Sequence, residues 1–165
     1  MAMETPHKMI AMEDSLNSLG LTQKNRDALA LAHKKLAITY LKEKNYIDAK
    51  AHFSNVLNYS TLDSFAQYNI LMINGHQLKQ TGNRQKLWDA IEVYYKAQRF
   101  HPNNGEPYFF IGKAYQSLDN NDFDLILESY QKALELELSE LLKDEVEKEI
   151  FSVVNRKNKL KDFWK

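Results

Sequence analysis

The side chains best suited to chemistry are five histidines, at positions 7, 33, 52, 76 and 101, and an acidic run containing Asp119, Asp122 and Asp124. Metal chemistry needs ligands at spacings that bring them to one point, and no histidine pair has the His-Glu-x-x-His spacing of a helical zinc site. The acidic run lacks the glycine and the terminal glutamate of a calcium loop, so it reads as a polar turn. None of the five glycines forms a phosphate loop, a dinucleotide fingerprint or a nucleophile elbow. With no cysteine in the chain, thiolate catalysis, disulfides and cysteine zinc sites are all excluded. The sequence thus predicts no cofactor, no metal and no enzymatic activity.

The elements that carry these residues are helical. Leu29, His33, Leu36, Ala37 and Tyr40 recur at steps of three and four, which places His33 on an apolar helix face as a structural residue. Tyr46, Ala49, Phe53 and Val56 mark a second helix. Leu71, Gly75 and Leu78 mark a third, and Ala90, Tyr94 and Ala97 a fourth, before Pro102. Ahead of them, Thr5 and Pro6 form a cap and first turn, with Ile10, Met12, Leu16 and Leu19 as apolar positions and Gly20 as a stop, predicting one short helix. Leu21 and Thr22 open the next.

Residues 102–115 read PNNGEPYFFIGKAY, and with this stretch the chain resembles the tetratricopeptide repeat family. Pro102, Asn103, Asn104, Tyr108, Ile111, Gly112 and Tyr115 occupy the positions of that family's repeat opening, with Ile126, Tyr130 and Ala133 on the following helix. The resemblance implies an all-α fold: a right-handed superhelix of three helix pairs, about 30–63, 64–104 and 105–138, within one structural domain. An amino-terminal helical extension (1–29) and a carboxy-terminal amphipathic capping helix (139–165) flank it. From Ala37 to Gly75 is 38 residues and from Gly75 to Gly112 is 37, against a family period of about 34. The surplus is expected in turns, at Thr61 to Ser64, at Arg84 to Lys86 and at Asp119 to Asp122. Leu138 stands where the family has proline, so the last repeat helix is expected to run on or bend into the next.

The same resemblance implies a function. Such repeats line a concave groove with their first helices and bind another protein through a peptide segment, as adaptors or scaffolds. Carried over position by position, the groove residues are Lys34, Ile38 and Leu41 from the first pair, Asn69, Met72, His76 and Lys79 from the second, and Phe109, Lys113 and Gln116 from the third. Apolar pockets at Met72 and Phe109 and acid-binding lysines are the expected features. The carboxylate clamp of heat-shock chaperone binders does not fit: Lys34 matches, but Ile38, Ile73, Glu106 and Phe110 hold its other positions. The layout is also similar to that of small three-repeat chaperones of type III secretion translocators, which makes a chaperone of a secreted client the second expectation.

The carboxy-terminal piece has neither glycine nor proline, and Leu142, Val146, Ile150, Val153, Leu160 and Trp164 keep helical spacing. At 1.5 Å per residue it spans about 40 Å, more than a repeat stack covers. Its exposed end, with Leu160, Phe163 and Trp164, is a second candidate interface, for a partner or for a homodimer. Twenty-two basic and 22 acidic residues cancel, which argues against nucleic acid. Met9 to Met12 is too short an apolar run for a signal-peptide core or a membrane span, so no membrane insertion and a cytoplasmic location are expected.

Overall fold

The structure is a computed structural model that describes residues 5–163. Its regular elements are helices, with no strand among the described residues. The chain divides into two compact units, Met1–Ile73 and Asn74–Lys165.

The first unit opens with α1 (Pro6–Ala11) and α2 (Glu13–Ser18), two helices where the sequence predicts one. They part at Met12, and neither contains a fully buried residue. Gly20 follows at φ +84°, the left-handed conformation that ends a helix and favours glycine. Thr22 then caps α3 (Gln23–Lys42) by accepting from the Asn25 N–H. Asn45 caps α4 (Tyr46–Tyr59) in the same way through the Asp48 N–H. The core of this unit is built largely from small residues, Ala30, Ala37, Ala49 and Ala66, around Phe53, Val56 and Ile73. Alanines let helix backbones approach; the large residues fill the space between them.

His33 is 1% exposed and sits at the centre of a polar relay inside this unit. Its Nε2 lies 3.2 Å from a Glu13 carboxylate oxygen, and its Nδ1 lies 2.8 Å from His52 Nδ1. Nε2 must carry the proton, because the carboxylate only accepts. In the neutral pair His33 Nδ1 is then the acceptor and His52 Nδ1–H the donor. The Tyr59 hydroxyl donates to the other Glu13 oxygen. Burial and the neighbouring His33 hold the His52 pKa below its ordinary value. Glu13 thus ties the amino-terminal helices to α3 and α4. Replacing Glu13 with Ala strands two donors and should lower stability by about 1–3 kcal/mol, read from denaturant midpoints; an unchanged midpoint would disprove the relay.

The second unit holds the end of α5 (Ser64–Gln80), then α6 (Arg84–Gln98), α7 (Glu106–Leu118), α8 (Phe123–Leu134) and α9 (Glu140–Phe163). Arg84 to Lys86 are not a turn insertion but the first turn of α6. Asn83 accepts from the N–H groups of Gln85 and Lys86 and so starts the helix early. Two helix pairs close on a glycine. A Cβ on Gly75 would stand 2.3 Å from the Tyr94 ring, and one on Gly112 would stand 2.5 Å from the Tyr130 ring. Each tyrosine is fully buried in the space the missing side chain leaves.

Neither alternative for Leu138 holds. Helix α8 stops at Leu134, and residues 135–139 form a link that pairs with the segment before α7. Glu137 N–H donates to Asn103 O at 2.7 Å, and Gly105 N–H donates to Glu137 O at 2.9 Å. Helix α9 then buries only Val146 and Val153, with Leu142 and Ile150 half-buried against the same core. Past Val153 no described residue of α9 is buried.

Candidate functional site

The residues carried over as groove positions meet three fates. Asn69, Met72 and Phe109 are interior: Met72 is 4% and Phe109 2% exposed. The expected open pockets at Met72 and Phe109 are therefore absent. A large apolar side chain on a helix is drawn into packing wherever space exists, and Phe109 lies within 5.8 Å of Tyr130, centroid to centroid. Asn69 spends its amide on the Phe65 carbonyl, at 2.8 Å. Ile38 and Leu41 are half-buried against the first unit's core.

Lys34 is not free to meet a partner's acid, since it donates to Asp63 and its ammonium stands 5.4 Å from the Phe65 ring centre. Burial pushes the Asp63 pKa up, but hydrogen bonds from Lys34 and from the Ala66 N–H outweigh it and leave it below the ordinary value.

The remaining four, His76, Lys79, Lys113 and Gln116, belong to the second unit. His76 Nδ1 is 2.9 Å from the Tyr94 hydroxyl, and its ring meets Phe110 edge to face at 4.4 Å. Burial, and then the charge of Lys79, press its pKa down to about 4. His76 is a neutral packing residue at physiological pH. Lys79 is itself held below its ordinary pKa, by burial first and by Lys113 second. Lys113 donates to Glu149 of α9 at 2.8 Å, while Gln116 accepts from the Tyr130 hydroxyl at 2.8 Å.

Two α9 residues missing from the sequence-derived set complete this face. Glu149 answers Lys113; burial first and then the Glu149 charge raise the Tyr130 hydroxyl's pKa, and Arg156, seven residues further along α9, opposes them. Arg156 Nε and Nη2 are buried and find no hydrogen-bond partner among the described residues. Lys79 likewise forms no ion pair among them. Lys79 and Lys113 thus stand close enough to repel, while Arg156 shares the surroundings of Tyr130 with Glu149 and Glu145. The segregation of acids and bases along residues 139–165 was the available signal for these positions, but it does not say which helix they oppose.

The second candidate interface is exposed, with Leu160 half-covered and Phe163 80% exposed. Trp164 lies outside the described residues. Of the acidic run, Asp119 accepts from the Asn121 N–H and Asp124 from Lys157 at 2.7 Å. Among the described residues no helix is long and apolar enough to cross a membrane. Set against known protein families and curated proteins, the chain matches no family model and no protein.

Proposed function

We propose that the chain is a non-catalytic protein-binding module, built from tetratricopeptide-like helix pairs, that takes up an acidic segment of a partner protein. The observation that carries this reading is a local group of cations in the second unit: Lys79, which forms no ion pair among the described residues, lies near Lys113, and Arg156 has two guanidinium nitrogens without a hydrogen-bond partner among them. A carboxylate-bearing ligand would pair with Lys79, and its charge would relieve the mutual repulsion of Lys79 and Lys113. The burial of Met72 and Phe109 makes charge, rather than apolar pockets, the source of recognition here.

The test is capture of partners from a lysate of the native organism by the parent chain and by Lys79→Glu. Lys79 is partly buried and forms no ion pair among the described residues, so the variant should stay folded, within about 1 kcal/mol of the parent. Loss of a captured partner by the folded variant is the expected result. Equal capture by both would remove the lysine face from the binding site.

A further inference from the structure

A different face of the second unit carries a cleft of about 530 Å³ between α6, α7 and α8, walled by Tyr95, Tyr108 and Tyr115. Leu125, Glu128, Ser129, Lys132 and Glu135 complete its lining. Its rings are arranged in crossed pairs. Tyr95 and Tyr108 stand 6.0 Å apart at 85°, and Trp88 meets Tyr115 at 6.0 Å and 78°. Tyr95 and Trp88 remain 41% and 44% exposed, so π surface is left uncovered there. At about 100° per residue, Lys113 points roughly 140–160° away from Tyr108 and Tyr115. The cleft is therefore separate from the lysine face.

Charge selects what this cleft accepts. Lys132 is neutralised by Glu135 at 2.8 Å. Glu128 makes no ion pair among the described residues, and it lies near enough to Tyr95 to help raise that hydroxyl's pKa, after burial, Tyr115 and Tyr108. Aromatic faces attract cations through their quadrupole, and a lone carboxylate beside them supplies a counter-ion. We infer that the cleft binds an arginine side chain of a peptide partner, its guanidinium laid on the tyrosine faces and paired with Glu128. Arginine suits the site better than lysine. Its ion is planar, weakly hydrated and able to stack while it hydrogen-bonds, and a volume in the usual range for ligand sites, about 300–1,000 Å³, admits the side chain with flanking backbone.

Trp88 provides the readout, in a Trp164→Phe background at constant ionic strength. The probes are capped Gly-Arg-Gly, Gly-Lys-Gly and Gly-Gln-Gly tripeptides and tetramethylammonium chloride. Saturable fluorescence change with the arginine peptide, weakened about tenfold by Glu128→Gln and by Tyr95→Ala, is the expected result. Both residues are exposed, so both variants should fold, which circular dichroism checks. The inference is overturned if the glutamine peptide performs as well, if Glu128→Gln binds equally, or if nothing saturates. Tighter binding of tetramethylammonium than of the arginine peptide would also overturn it, reassigning the cleft to quaternary ammonium ions.

Discussion

Gly105→Ala should destabilise the chain by about 3 kcal/mol and lower its melting midpoint by roughly 10 °C. A Cβ on Gly105 would stand 2.3 Å from the carbonyl oxygen of Ala133 and 3.0 Å from the Leu138 side chain. The obstacle is backbone, at the end of α8, and it cannot rotate aside as a side chain might. Relief would require moving the link at 135–139 and breaking its pairing with Asn103 and Gly105. Nothing offsets this cost. Gly75→Ala and Gly112→Ala also overpack, against tyrosine rings, but both lie inside helices, where alanine gains about 1 kcal/mol over glycine. Their net loss should be smaller. Gly105 sits at the N-cap of α7, where alanine is itself disfavoured. Thermal melts of the three variants should rank Gly105→Ala lowest; parental stability for that variant would show that α7 and the link do not approach so closely.

The second large effect is a loss of stability in mild acid that depends on His76. Its folded pKa of about 4 lies below the ordinary 6.5, so the unfolded chain takes up a proton in an interval where the folded chain does not. Stability from this group is complete above pH 6.5 and falls as pH drops from 6.5 toward 4. The slope is about 1.4 kcal/mol per pH unit and the total at most about 3 kcal/mol. Asp63, held below its ordinary 3.8, acts in a lower window: its contribution is present above that value and is lost as pH falls through the folded pKa. His52 has the same sign as His76. His76→Gln isolates the term, because an amide can donate to or accept from the Tyr94 hydroxyl while the side chain no longer titrates. Denaturant midpoints measured from pH 7 to 4 should fall less steeply for the variant, and parallel curves would exclude His76 as the group.

Much of the local structure was legible because it follows from local rules. Thr22 begins α3 by accepting from the Asn25 N–H of the next turn. Gly75 and Gly112 mark close approach because any Cβ would occupy the tyrosine's place. Repeat spacing alone puts Arg84 to Lys86 in a turn and has α8 run on or bend into the next helix, but Asn83 and the 103–137 backbone pairing decide those two boundaries.

The sequence by itself determined the helical class, the start of α3 at Thr22 and the residues that need a small neighbour, since periodicity and capping act within one or two turns of chain. It also marked His33 as structural. Only the tertiary structure decided which polar groups are already satisfied: that Lys34 belongs to Asp63, His33 to Glu13 and His52, and Lys113 to Glu149. Met72 and Phe109 shifted from groove to interior for the same reason. Helical spacing fixes the direction of a side chain on its own helix, whereas burial and pairing depend on what distant segments bring to that face.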